Sequence, residues 1–154
     1  MNEYEEKIKK YLHEHNVNGQ HLSFTQSCHS VAEAALAVSA SPENFVKNIC
    51  LLDEQRNLIV AIVKGEDKVD REAVAKFLHL SKVKMASPEE ILKKTGYPCG
   101  GTPSFGYKAI FLIDSRVMEK EIIYSGGGSE NSLVKISSLE LQKANQGKIT
   151  KVRK

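Results

Sequence analysis

Apolar side chains recur at helical spacing in several segments that are separated by polar turns. Near the start of the chain, Tyr4, Ile8 and Leu12 fall on one helical face. Ser30 and Asp70 precede two further helical patterns and are residue types that cap helices. The run SPEEILKKTG contains an N-cap serine, a first-turn proline, a capping-box glutamate and a terminal glycine. A last short helix is predicted over SSLELQKAN.

Runs of β-branched residues predict the strands. FVKNICLL and LIVAIV flank the polar segment DEQRN, which is the pattern of a β-hairpin. Both runs are almost continuously apolar, so we expect this hairpin to be central and covered on both faces. HLSFTQ, KVKM, AIFLI, EIIYS and SLVKIS predict further strands. The mixture favours an α+β fold, with a mixed, mostly antiparallel sheet flanked by helices, in a single domain over residues 1–154.

Composition limits the classes to which the protein can belong but does not identify one of them. The 154 residues are 41% hydrophobic and 27% charged, which suits one globular core. No apolar run is long enough for a membrane span, and MNEYEEKIKK does not look like a signal peptide, so a cytoplasmic protein without a membrane partner is expected. The formal net charge is only +3, with a local excess in the tail KITKVRK. That tail is either a solvated end or a contact for a nucleic-acid backbone.

The cysteines and histidines give no metal or cofactor signature. Cys28, Cys50 and Cys99 are widely spaced and odd in number, which argues against disulfides and a structural zinc. HEH lacks the spacing of a helical metal site. We therefore expect neither a metal nor a cofactor. Cys28 and Cys50 are interpreted as small core residues. Cys99 is a weak candidate nucleophile, because no histidine is close to it in the sequence.

The segment TGYPCGGTPSFG is the first candidate for chemistry. Its glycines let the backbone approach a ligand and let N–H groups point in one direction, while its prolines stiffen the rest. Such a loop suits an oxyanion or a carbonyl group. The alternative is a long turn between a helix and a strand. No triad signature, P-loop or dinucleotide-binding motif accompanies it.

Lys47 and a second glycine cluster are the other candidates. Lys47 lies in an apolar strand, where its ammonium must reach either water at the strand end or an anion at a pocket mouth. Asn48 faces the opposite side if the strand is regular. The segment YSGGGSEN is either a hairpin turn or a second wall of the same cleft.

Four elements in this order and spacing resemble the YbaK-type aminoacyl-tRNA deacylases. The elements are FVKNICLL with its strand lysine, the GEDKVD step, the TGYPCGG loop and the later SGGG turn. These deacylases are free-standing relatives of the editing domain inserted in bacterial prolyl-tRNA synthetases, and the resemblance covers roughly residues 20–150. It implies a mixed sheet flanked by helices. It also implies hydrolysis of the ester between a wrong amino acid and the terminal adenosine of a tRNA.

The resemblance also implies a set of site residues. Lys47 matches the family's essential lysine, which contacts the backbone of the tRNA 3′ end. Gly100 and Gly101 match the loop that holds the amino-acid carbonyl, and we expect the Gly101 amide to face that carbonyl. Gly126 and Gly127 match the second loop at the pocket wall. The other residues expected to bind substrate are Asn48, Thr102, Pro103 and Ser104.

One departure affects the expected substrate. The family loop often has proline four places after its first glycine, but here that position holds Ser104 and the proline is Pro103. We therefore expect the bend of the loop, and with it the depth of the pocket, to differ from the family pattern. A tRNA(Pro)-type or other small-amino-acid substrate is expected, attacked by water or by a group of the substrate itself. An aminoacyl-tRNA synthetase is a further candidate partner beside the tRNA acceptor end.

Two other functions stay open from the sequence. One is a binding module that holds a tRNA end or a synthetase without chemistry, and the other is an unrelated small-molecule hydrolase. The lysine and both glycine loops favour a reactive site over a passive surface. A protein that only binds RNA more often interleaves exposed aromatic residues with a stronger basic patch.

Overall fold

The computed structural model describes residues 2–25 and 30–154. Its helices begin and end close to the predicted positions and carry the predicted caps: Ser30, Asp70 and Ser87 each accept a hydrogen bond from the first turn of their helix. The helices are α1 (Glu3–Glu14), α2 (Val31–Val38), α3 (Arg71–Phe77), α4 (Pro88–Thr95) and α5 (Ser138–Asn145), with short 3-10 turns at Pro42–Asn44 and Val117–Glu119. In the described part of the chain, no helix is both long and apolar enough to cross a membrane.

The strands form two sheets, and the α+β class is confirmed. They are β1 (Gly19–Ser23), β2 (Val46–Leu52), β3 (Leu58–Lys64), β4 (Lys84–Met85), β5 (Ile110–Asp114), β6 (Ile122–Gly126), β7 (Ser132–Ser137) and β8 (Lys148–Thr150). The antiparallel sheet has the order β1-β7-β6, and the mixed sheet has the order β4-β2-β3-β5-β8. The expectation of one sheet is wrong, because apolar periodicity predicts strands but does not specify their partners.

The predicted hairpin is the centre of the mixed sheet. β2 and β3 pair antiparallel, and β5 pairs parallel with the other edge of β3. Every residue of β3 is buried, and alternate residues enter different cores. Val60 and Ile62 belong to a core with α1, whereas Ile59 and Ala61 belong to a core with α3. The sheet is therefore covered on both faces, as its continuous apolar pattern predicted.

The C-terminal tail is not a solvated end. Residues 148–150 form β8, which pairs parallel with β5, and Val152 is fully buried. Asp114 is also fully buried and accepts hydrogen bonds from the Val152 amide at 2.9 Å and the Arg153 guanidinium at 2.9 Å. The sequence pattern does not predict this short strand, because the segment contains more charged residues than apolar ones.

The edge of β2 provides the place for a site. β4 covers that edge only at Leu51 and Leu52. Near the first half of β2, the loop after α4 and strand β6 approach instead, since the Asn48 side chain contacts both. Lys47 lies in that half.

Candidate active site

A small cavity of about 220 Å³ opens beside the first half of β2. Lys47 and Asn48 line it from β2, and Gly100 and Thr102 line it from the loop after α4. The opposite wall comes from β6 and the start of β7. Most of the remaining lining is apolar: Ala34, Phe45, Val46, Ile49, Ile91, Tyr124 and Leu133. The two glycine segments therefore do edge one cleft.

The loop after α4 is fixed through its carbonyl groups. The oxygens of residues 101–104 all accept hydrogen bonds, each from a different donor. The donors are the Gly128 amide (2.8 Å), Asn48 Nδ2 (2.9 Å), Tyr107 Oη (2.6 Å) and Asn145 Nδ2 (3.0 Å). These donors come from the turn after β6, from β2, from the loop itself and from α5. Distant elements of the fold therefore hold the loop in one conformation.

The loop also presents free amide donors at the cavity wall. Gly100 and Thr102 line the cavity, and their N–H groups have no acceptor among residues 2–25 and 30–154. The Gly101 amide is different, because it donates to Pro98 O at 3.0 Å, and Gly101 does not line the cavity. The expectation that the Gly101 amide faces the substrate carbonyl is therefore wrong for this structure. Sequence spacing could not decide which of the neighbouring amides already donates to an acceptor within the loop.

Gly101 is glycine for another reason, which is the close approach of two backbones. A Cβ atom on Gly101 would lie 2.5 Å from the Ser129 amide nitrogen. A Cβ atom on Gly126 would lie 2.2 Å from the carbonyl oxygen of Thr102. Because both neighbours are backbone atoms, no rotamer change relieves the contact. The loop after α4 and the turn after β6 therefore pack directly on each other.

A buried polar group joins these two segments to β2. Ser104 Oγ donates to Asn48 Oδ1 at 2.6 Å, and Asn48 Nδ2 lies 3.3 Å from Ser125 Oγ. Ser104 is fully buried and does not line the cavity. Both Asn48 and Ser104 were expected to bind substrate, yet the structure uses their side chains to connect protein segments. A proline at position 104 would lack the hydroxyl that makes this link.

The other predicted residues divide between the cavity surface and the layer behind it. Gly126 lines the cavity, whereas Gly127 is buried and its carbonyl accepts from His21 Nε2 at 2.8 Å. Pro103 is also buried behind the lining. Sequence reasoning missed Ser125 and Ser132, which line the cavity. The available signal was the position of Ser125 directly before the glycines of YSGGGSEN and of Ser132 directly after that segment.

Lys47 provides the positive charge of the cavity. Its side chain is half-buried, and its ammonium has no ion pair with any described residue. A cation that is neither paired nor fully solvated attracts an anion such as a phosphate. Lys47 therefore remains available for a ligand at the cavity.

The cysteines differ in exposure. Cys99 is exposed and lines the cavity. Cys50 is buried, as expected, and burial raises the pKa of its thiol to about 12, so it stays protonated at neutral pH. Cys28 lies outside the described residues. No group of three or more potential metal ligands occurs in the described part of the chain.

Comparison with known proteins assigns the chain to a family. Residues 25–144 match the model of the aminoacyl-tRNA editing domain. The chain belongs to that family. The matched range contains β2 with Lys47, the loop after α4 and the turn after β6. The editing-domain assignment therefore covers every wall of the cavity that the structure describes, and it gives the chain a role in aminoacyl-tRNA editing.

Individual relatives agree with the fold. The uncharacterized protein YwhH of Bacillus subtilis (strain 168) is 23% identical over 144 residues, which is 92% of this chain and 91% of that protein. A proposed trans-editing enzyme for prolyl-tRNA synthetase superposes with a TM-score of 0.93 at 19% identity, over 100% of this chain and 99% of the other. The hypothetical protein APE2540 gives a TM-score of 0.88 at 24% identity, over 96% and 99%.

We predict that Gly101→Ala lowers the free energy of unfolding by about 2 kcal/mol, because the added methyl group meets the backbone of the neighbouring turn. Urea unfolding measures this loss. Gly65→Ala is the matched control, since Gly65 has open space around its Cα and no positive φ, and it should change stability by less than about 0.5 kcal/mol. Unchanged stability of Gly101→Ala together with a large loss of activity would restore a direct catalytic role for its amide.

Proposed function

We propose that this protein is a trans-editing hydrolase that removes a small, uncharged amino acid from a mischarged tRNA. The observation that carries the proposal is one small cavity lined by a lysine without an ion pair and by two loop residues whose amides have no acceptor, in each case among the described residues. Lys47 would contact a phosphate of the tRNA 3′ end. The amides of Gly100 and Thr102 would contact the aminoacyl carbonyl.

The size and lining of the cavity support the restriction to a small, uncharged amino acid. A volume of about 220 Å³ is below the range of roughly 300–1,000 Å³ that is typical of pockets for larger ligands. It suits an aminoacyl group, with the adenosine outside. The apolar walls at Phe45, Ile49 and Ile91 offer no partner for a charged side chain, and the proposal assigns the Lys47 ammonium to the tRNA phosphate. Burying such a charge without a partner would cost several kcal/mol.

The proposed reaction needs little from side chains, because an aminoacyl ester is already an activated bond. Water attacks the ester carbonyl, the C–O bond to the ribose breaks, and the ribose oxygen receives a proton. One preorganised amide donor to the oxyanion is worth about a hundredfold to a thousandfold in rate. The described lining contains no imidazole or carboxylate. The proposal therefore passes the proton through the neighbouring ribose hydroxyl.

A deacylation screen tests the proposal. The substrates are tRNA(Pro) charged with alanine, cysteine or serine, and alanyl-, seryl- and threonyl-tRNA. We expect at least one of these esters to be hydrolysed well above its spontaneous rate, with release of free amino acid and intact tRNA. If the protein binds these tRNAs but hydrolyses none, the rival function of a binding module replaces the hydrolase.

We predict that Lys47→Ala lowers kcat/KM by roughly 10- to 100-fold, which corresponds to the loss of about 1.5–3 kcal/mol of charged hydrogen bonding. Its circular dichroism spectrum and melting temperature should stay near those of the wild type. Lys108→Ala is the matched control, because Lys108 is exposed and does not line the cavity. Equal activity in the two variants would remove Lys47 from the site.

We predict that Cys99→Ser keeps its rate within about threefold of wild type, because water or a substrate group makes the attack in this proposal. Single-turnover deacylation of the best substrate measures the rate. A covalent nucleophile would instead lose roughly a thousandfold or more. A loss of that size would make the Cys99 thiol the attacking group and overturn the mechanism.

A further inference from the structure

We propose that Glu5, in the first turn of α1, is a positioning residue for the cavity, acting through Ser129 on the turn after β6 and so on the loop after α4. This inference rests on the proposed function for its kinetic consequence. Neither residue lines the cavity, and neither belongs to the motifs that the family resemblance singled out.

Glu5 is a buried carboxylate whose two oxygens are held by different parts of the fold. Only 6% of the residue is exposed. Oε1 accepts from Ser23 Oγ on β1 at 2.6 Å, and Oε2 accepts from Ser129 Oγ at 2.8 Å. Burial alone raises the pKa of Glu5, but these two hydrogen bonds and the charge of His21 bring the pKa below its usual value. An ionised, buried carboxylate keeps both hydroxyl donors in place, since losing either one leaves it poorly solvated.

Ser129 connects the Glu5 carboxylate to the turn after β6 and so restrains the position of that turn. Its hydroxyl lies 2.9 Å from Ser132 Oγ and accepts from the Asn131 amide at 3.1 Å. Ser132 lines the cavity. The backbone of α1 also packs on the turn, because a Cβ atom on Gly128 would lie 2.7 Å from the Tyr4 carbonyl oxygen. The helix thus contacts the turn through both a side chain and its own backbone.

The turn after β6 also fixes the position of the loop after α4. The Gly128 amide donates to Gly101 O at 2.8 Å, and no side chain fits between these two backbones. A shift of the turn therefore displaces the segment that carries the Gly100 and Thr102 amides. Misplacement of reacting groups by about 1 Å costs on the order of a hundredfold in rate. A carboxylate outside the cavity can therefore control the rate of the reaction inside it.

Ser23 offers a matched control within the same cluster. Ser23→Ala removes a hydrogen bond to Glu5 from β1 but leaves the link to Ser129 in place. Ser129→Ala removes the link to the turn. Both changes delete one hydroxyl that donates to the same carboxylate, from exposed Ser23 or from half-buried Ser129. They differ in whether the link from Glu5 to the turn is broken, and Ser129→Ala also removes the bonds of Ser129 to Ser132 Oγ and to the Asn131 amide.

The experiment compares Ser129→Ala, Glu5→Ala and Ser23→Ala with the wild-type protein. Single-turnover deacylation, tRNA affinity and melting temperature are measured for each. We expect Ser129→Ala and Glu5→Ala to lower the rate constant by about tenfold or more with tRNA affinity little changed. Ser23→Ala should lower the melting temperature by a similar amount but stay within about twofold in rate. Equal rate losses in the two serine variants would overturn the proposal.

A readout that does not depend on deacylation separates this proposal from the proposed function. The Gly128 amide donates to Gly101 O across the contact between loop and turn, so the hydrogen exchange of this amide reports the opening of that contact. We expect faster exchange of the Gly128 amide in Ser129→Ala and unchanged exchange in Ser23→Ala. Unchanged exchange in Ser129→Ala overturns the positioning role even if deacylation is confirmed. If Glu5→Ala does not fold, Glu5→Gln takes its place, because it keeps the size of the side chain and the bonds of Ser129 within the turn.

Discussion

The close packing of two glycine-containing backbones is the constraint on which the cavity depends. The loop after α4 and the turn after β6 approach so closely that a single Cβ atom on Gly101 or Gly126 would overlap backbone atoms. Side chains cannot adjust such a contact, so the relative position of the two segments is fixed. The loop amides on the cavity wall take their position from this contact, whereas Lys47 lies on β2.

Polar links extend the contact into the rest of the fold. Asn48 connects the loop and strand β6 to β2, and Asn145 connects the loop to α5. Because the loop carbonyls are used in this way, its unused amides are the groups left to meet a ligand. The arrangement resembles other sites that stabilise an oxyanion with preorganised backbone donors. Such a site depends little on acid–base side chains. An ester that is already activated needs little acid–base catalysis, so it suits this kind of site.

Membership in the aminoacyl-tRNA editing domain family and this geometry support each other without being the same finding. The family match rests on sequence, whereas the coordinates show that the Lys47 ammonium and the amides of Gly100 and Thr102 have no partner within the described ranges 2–25 and 30–154. The position of Ser104 shows why both are needed. Sequence comparison flags it as a departure from the family loop, and the structure gives the residue a buried role between Asn48 and Ser125.

The sequence by itself determined the helices, their caps, the central hairpin and the four motifs of the family, because these depend on local spacing and on residue type. It also brought Lys47 and both glycine segments to attention. Only the tertiary structure decided that the strands form two sheets, that the basic tail completes one of them, and that Glu5 reaches the turn after β6. It likewise decided that the Gly101 amide turns away from the cavity while those of Gly100 and Thr102 stay free. The physical reason is that hydrogen bonds and backbone contacts between distant segments depend on how those segments pack. Local sequence patterns do not specify that packing.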